Sequence, residues 1–269
     1  MIRCIAMDLD DTLLRDDLSI STENQNAIQS ALDRGVKIVL ASGRMVASMQ
    51  SYAETLGLDM PLIAYNGAMV REAVSGETLY HKPVPYEVAL QVIPIFQETH
   101  FHLNVYLDER LYVKEWDIWS EQYQASAGVT PHPAGDLLAI LKGPPTKMLG
   151  IGVIEAIEAM RENLEQRFGS DLDFTRSKPN YLEILAPGVS KGDALQFLAR
   201  KWGFDRDEIM AIGDAPNDLA MIQWAGTGVA MANAVPSVRE NADVIVTDNN
   251  HHGVAEAIRK FVLEGKSPG

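Results

Sequence analysis

The stretch that most constrains this chain is residues 2–12, Ile-Arg-Cys-Ile-Ala-Met-Asp-Leu-Asp-Asp-Thr. A short apolar run with β-branched residues reads as a buried strand of a parallel sheet. It stops abruptly in Asp8, Asp10 and Asp11. Open α/β sheets bind ligands beyond the C-terminal ends of their strands, so such a strand carries acids to where a ligand would sit. Side chains two apart on an extended segment leave on the same side, and Asp8 and Asp10 can therefore face one cavity. Two carboxylates so placed repel unless a cation or a shared proton compensates them. Read alone, three acids after a strand also describe a solvated turn.

Later stretches repeat the pattern. Ser21-Thr22-Glu23-Asn24 opens a helix, with Glu23 favourably placed near its positive end, and Gly35 closes it. A second buried strand over 36–41 ends in Ser42-Gly43-Arg44 and leads to a helix over 45–56. A small hydroxyl and a glycine at a strand end can cradle an anion, and a lone Ser-Gly is equally an ordinary helix cap. A third strand over 62–65 ends in Asn66-Gly67, a turn signal first and a modest site candidate second. From Pro83 the pattern changes. Helices near 86–98, 116–126, 134–141 and 154–168 mix with strands near 102–107, 111–114, 146–152, 171–175 and 180–185. Hairpins mixed with helices indicate an α+β unit inserted into an α/β frame. After Ala186-Pro187-Gly188 the alternation returns: a helix opened by Ser190-Lys191, a strand over 209–212 running into Gly213-Asp214-Ala215-Pro216-Asn217-Asp218, strands over 228–231 and 243–246, and a last helix over 252–263. The expected architecture is a doubly wound, mostly parallel, Rossmann-like core sheet from residues 1–82 and 187–269. Residues 83–186 form the inserted α+β cap domain.

Composition excludes several classes. The 269 residues are 46% hydrophobic with no apolar run of membrane-spanning length. The formal charge of -14, with no Lys/Arg run, argues against a nucleic-acid partner. Cys4 is the sole cysteine and sits in the apolar strand, where it reads as a small buried hydrophobe. With no basic n-region and apolar h-region at the start, a cytoplasmic location without membrane attachment is expected, and no obligate protein partner is evident. A local metal ion and a lysine can still hold a phosphorylated substrate against the global field. Strand ends bearing Asp8/Asp10, Ser42, Asn66 and Asp214/Asn217/Asp218, with Lys191 at a helix start, converge on one edge of a parallel sheet. A carboxylate-rich, thiol-free set of this kind suits Mg²⁺.

The ordered set Asp-Leu-Asp-Asp-Thr, Ala-Ser-Gly-Arg, a lone Lys and Gly-Asp-x-x-Asn-Asp resembles the haloacid-dehalogenase-like hydrolases. The long insert between the serine and lysine motifs is similar to that of the Cof-type sugar-phosphatase branch. The resemblance extends over Tyr65–Ala68, Tyr181–Ile184 and Val229–Ala234, and so over essentially the whole chain. It implies that Asp8 is the nucleophile that forms an aspartyl-phosphate, and that Asp10 is the general acid and then the base. It implies Mg²⁺ on Asp8, the backbone carbonyl of Asp10 and Asp214. Ser42, Lys191, Asn217 and the backbone N–H groups of Leu9 and Gly43 would hold the phosphoryl oxygens. Asp218 would support the metal or Lys191, and the cap residues Arg176, Ser177 and Asn180, together with Arg44, would contact the leaving group. The implied substrate is a small phosphorylated metabolite, a sugar phosphate first. The rival readings are a phosphotransferase or phosphomutase using the same intermediate, a phospho-acceptor signalling module, and a non-catalytic binding protein. Asp11 stands where mutase relatives often have glycine, which weakens the mutase reading.

Overall fold

The computed structural model describes residues 1–99 and 101–266. In chain order the first elements are β1 (Cys4–Met7), α1 (Thr22–Leu32), β2 (Lys37–Leu40), α2 (Val46–Thr55), β3 (Pro61–Ala64), β4 (Met69–Glu72) and β5 (Thr78–His81). The middle stretch forms α3 (Tyr86–Glu98), β6 (His102–Leu107), β7 (Arg110–Val113), α4 (Ile118–Ala127), β8 (His132–Pro133), α5 (Leu137–Ile140), β9 (Lys147–Ile151), α6 (Ile154–Phe168), β10 (Asp173–Thr175) and β11 (Tyr181–Leu185). The chain then returns through α7 (Lys191–Trp202), β12 (Ile209–Gly213), α8 (Leu219–Trp224), β13 (Thr227–Met231), α9 (Pro236–Arg239), β14 (Val244–Val246) and α10 (Gly253–Ile258).

Two compact units result. The first holds Met1–Gly43, Met49–Leu79 and Ser190–Gly269; the second holds Arg44–Ser48 and Tyr80–Val189. In the first unit a sheet of order β14-β13-β12-β1-β2 is parallel throughout, with Met7 opposite Ile212 on one side and Leu40 on the other. Every residue of β1 is buried, as expected of a strand covered on both faces. Helix α1 packs on α10, and α7 packs on α8. Cys4 lies in this core as a free cysteine, and burial pushes its thiol up to about 12, which leaves it inert. The third strand runs parallel beside β2 as expected, but it also opens a separate small sheet. It turns back through Tyr65–Gly67 to pair antiparallel with β4, and an isolated parallel bridge from Ala41 to Ile63 keeps it beside β2.

The second unit is built on a sheet of order β10-β11-β9-β6-β7-β8, antiparallel except for the β7–β8 pair. Period-2 alternation divides its faces. Leu103, Val105, Met148, Leu182 and Ile184 pack with Val92, Phe96 and Ile157 into an apolar core. The opposite face carries buried polar groups: Asn104, Tyr106, and Lys147 paired with Glu183 at 2.8 Å. Among the described residues no helix is long and apolar enough to cross a membrane.

Candidate active site

Strand β1 delivers Asp8 to the C-terminal edge of the parallel sheet, where its N–H still donates to the Ile212 carbonyl at 3.0 Å. The chain then enters a kinked wide turn over Leu9–Leu13, in which Asp10 remains extended at φ -70° and ψ 131° and Asp11 takes φ +57°. Strand β12 delivers Asp214 to the same edge one strand away. Gly213 is required there, because a Cβ on it would stand 2.5 Å from Asp218 Cγ. Pro216 at the first position of the next turn fits, since its missing N–H would have no helical partner. Helix α7 begins at Lys191 because Ser190 caps it, with Ser190 Oγ accepting from the Asp193 N–H at 3.0 Å.

These elements meet in one buried cluster. Lys191 is fully buried, and its Nζ donates to Asp8 Oδ1 at 2.5 Å and to Asp218 Oδ1 at 2.6 Å. Asp218 Oδ2 accepts from the backbone N–H groups of Asp214 at 3.0 Å and Ala215 at 3.1 Å. Thr12 Oγ1 donates to Asp214 Oδ1 at 2.7 Å. Each of Asp8, Asp214 and Asp218 offers a carboxylate oxygen within 4.8 Å of the others. Burial raises the Asp8 carboxyl well above its ordinary range, opposed by Lys191 and reinforced by Asp218, Asp214 and Asp10. Burial and Asp218 push Asp214 up to about 8 against the Thr12 hydrogen bond. Burial works against the Lys191 charge, but Asp218 and Asp8 outweigh it and hold the ammonium above its ordinary value. Lys191 thus sets a single positive charge against three acids. An all-oxygen carboxylate set with this excess of negative charge fits a hard divalent cation.

The structure brings together Asp8, Asp214, Asp218 and Lys191. Ser42 lies two residues beyond the end of β2, buried, and Gly43 abuts the Asn66 amide. Asn217 Nδ2 donates to Asn66 Oδ1 at 2.9 Å. Leu9 is buried at the start of the wide turn. Asp10 is half-buried, and its carboxylate is not among the three that converge. The remaining candidates lie in the second unit. Arg44 is buried and donates to the Ser126 carbonyl at 3.0 Å and the Ala127 carbonyl at 3.4 Å. Arg176 pairs with Glu158, Ser177 Oγ donates to Glu183 Oε1 at 2.7 Å, and the Asn180 carbonyl accepts from the Gly152 N–H at 3.3 Å. Sequence reasoning passed over Thr12, whose signal was a hydroxyl residue beside the acidic run. It also left the Asn66–Asn217 pair unseen, because nothing in one motif points to the other.

The haloacid dehalogenase-like hydrolase family model matches residues 5–258. A Bacillus subtilis 5-amino-6-(5-phospho-D-ribitylamino)uracil phosphatase is 34% identical, covering 97% of this chain and 96% of its own length. An HMP-PP phosphatase from Cronobacter sakazakii is 32% identical over 88% of this chain and 87% of its own. Among solved structures, a haloacid dehalogenase-like hydrolase from Bacteroides thetaiotaomicron superposes with a TM-score of 0.88 at 30% identity, covering 97% of this chain and 100% of that one. The acidic cluster therefore stands in a chain that belongs, along almost its whole length, to the haloacid dehalogenase-like hydrolase family, in its Cof-type branch.

Proposed function

We propose that this phosphoric monoester hydrolase is a Mg²⁺-dependent phosphatase that cleaves small phosphorylated metabolites, sugar phosphates first, through an aspartyl-phosphate on Asp8. The observation that carries the reading is the buried Lys191 ammonium bonded to both Asp8 and Asp218, with Asp214 beside them. A lysine so held keeps its proton and presents a fixed positive charge next to a nucleophilic carboxylate, which suits a phosphoryl dianion. Asp8, the backbone carbonyl of Asp10 and Asp214 would hold Mg²⁺. When bound, the ion supplies the positive charge that lets an anionic carboxylate approach an anionic phosphoryl group.

In the first half-reaction an Asp8 oxygen bonds to phosphorus while the bond from phosphorus to the ester oxygen breaks. Asp10 gives its proton to that leaving oxygen. In the second half, Asp10 takes a proton from water as the water oxygen attacks the same phosphorus, and the Asp8 carboxylate leaves with inorganic phosphate released. Lys191, Ser42, Asn217 and the N–H groups of Leu9 and Gly43 hold the phosphoryl oxygens through both halves. Asp218 keeps Lys191 charged and oriented. Arg176, Ser177 and Asn180 of the second unit are the candidate contacts of the leaving group. Arg44 braces α4 of that unit. The relatives named above act on phosphorylated small molecules, which supports the substrate class.

The test is phosphate release from a panel of phosphorylated metabolites by purified protein, with Mg²⁺ and with chelator, alongside Asp8→Asn. Metal-dependent release, an acid-stable phosphoprotein from wild type, and neither from Asp8→Asn are expected. Wild-type rates in the Asp8→Asn protein would sink the mechanism.

A further inference from the structure

The turn between β3 and β4 has a geometry that the reaction above does not use. Tyr65, Asn66 and Gly67 take φ of +52°, +57° and +99° in succession. Left-handed backbone at two consecutive non-glycine residues is strained, and such strain persists where the surroundings over-determine it. Here they do, because the turn touches several of the elements assigned to the phosphoryl group. The Asn66 N–H donates to the Ser42 carbonyl at 3.0 Å. A Cβ on Gly67 would stand 2.1 Å from the Ser190 carbonyl oxygen and 3.1 Å from the Lys191 nitrogen. A Cβ on Gly43 would stand 2.9 Å from Asn66 Oδ1 and 3.3 Å from its Nδ2, so the amide lies directly against the strand end that follows Ser42. Asn66 Oδ1 accepts from Asn217.

Asn66 Nδ2 is left over. The residue is 1% exposed, and among the described residues this nitrogen has no hydrogen-bond partner. A buried amide N–H₂ with nothing to donate to is costly, and a chain that keeps one at a strained position is matched to an acceptor from outside. We propose that Asn66 is a direct phosphate ligand: its Nδ2, held between Gly43 and Asn217, donates to an oxygen of the phosphoryl group, while its Oδ1 fixes the Asn217 amide. The inference rests on the reading of Asp8, Ser42 and Lys191 as the phosphoryl site. A phosphoryl dianion has lone pairs to spare for a further donor, and a neutral amide supplies one without adding charge to a crowded pocket.

Inorganic phosphate is the probe, read by its protection of the Mg²⁺-loaded protein in thermal melts and by competitive inhibition of p-nitrophenyl phosphate hydrolysis. Asn66→Gly keeps the left-handed backbone without penalty and removes the amide whole. Its phosphate affinity should fall by about 10-fold or more, as expected for losing a hydrogen bond to an anion. The same change in an Asn217→Ala background should bring a further loss of several-fold. If Asn66→Gly adds nothing there, the residue acts only by holding Asn217 and direct ligation is overturned. Phosphate affinity equal to wild type in Asn66→Gly overturns it as well. Asn66→Asp, which retains an oxygen for Asn217 and tolerates the left-handed backbone, decides the matter should the glycine variant lose its cooperative melt. It should bind phosphate more weakly than wild type, because it places a carboxylate beside the anion, and unchanged affinity overturns the proposal. A wild type that binds and releases phosphate confines either outcome to Asn66. A wild type that does neither overturns the underlying reading, and this inference with it.

Discussion

Lys191 carries the consequences that are easiest to test. It lies fully buried between Asp8 and Asp218, so Lys191→Met would leave two buried carboxylates facing each other without a cation. Removing one partner of a buried ion pair costs about 3–5 kcal/mol, which for a chain of this size lowers the melting temperature by roughly 5–15 °C. Melts of both proteins with chelator should show that drop together with loss of turnover, and an unchanged melt would mean that the pair is not formed. Asp10 should behave differently. Asp10→Asn removes the proposed proton donor but keeps the backbone carbonyl, so turnover should fall by roughly 10²–10⁴ while the melting shift on adding Mg²⁺ survives. Loss of that shift would make the Asp10 side chain itself a ligand. The acids were legible because strand ends are where a parallel sheet concentrates them. So were their partners Lys191, Asp214 and Asp218, because parallel connections bring strand ends to one edge. Which carboxylates lie nearest one another was not, since that depends on the turn after β12, where Asp218 accepts from the Asp214 and Ala215 N–H groups.

The helices and strands were read from local signals, and the misreadings follow from what those signals omit. Ser21 and Ser190 cap their helices as the sequence implied, because a capping hydroxyl acts within three residues. The helix expected over 116–126 begins instead at Ile118, where Asp117 accepts from the Ser120 N–H, and that over 134–141 shrinks to Leu137–Ile140 behind Asp136. The Asn66-Gly67 turn was visible, but the return of β3 onto β4 depends on a neighbour that local spacing cannot name. Glycine inside a helix gives the sharpest case. Gly192 occupies the second position of α7, where alanine ordinarily stabilises by about 0.5–1 kcal/mol. A Cβ there would stand 2.6 Å from the Ala220 carbonyl carbon and oxygen of α8, which cannot yield without moving backbone. Gly192→Ala should therefore destabilise by about 1–3 kcal/mol and weaken phosphate binding, because α7 carries Lys191. A melting temperature above wild type would show that α7 and α8 separate freely.

In a molecule of formal charge -14, three acids, Asp8, Asp214 and Asp218, meet in one buried cluster. Asp214 titrates near 8 in the folded protein against an ordinary value of 3.8, so between those limits the native state holds a proton that the unfolded chain has released. Metal-free stability must then fall as pH rises from about 4 to about 8, by a few kcal/mol from this group, with Asp8 adding to the same slope. The proposed Mg²⁺ would bind the ionised carboxylates, so its stabilisation should grow over the same range. Asp214→Asn has no proton to lose there, and its amide oxygen can still accept from Thr12 Oγ1, which donates to Asp214 at 2.7 Å. With chelator, the variant should melt above wild type at pH 8.5 and approach it toward pH 5, while the further rise on adding Mg²⁺ shrinks at every pH. Thermal melts of both proteins at several pH values, with chelator and with excess Mg²⁺, decide it. A variant that melts lower at pH 8.5 without metal would mean that the Thr12 hydrogen bond to a charged acceptor outweighs the repulsion from Asp8 and Asp218. An unchanged Mg²⁺ response would be the graver result, because it would remove Asp214 from the metal site and leave the excess negative charge of the cluster without a purpose.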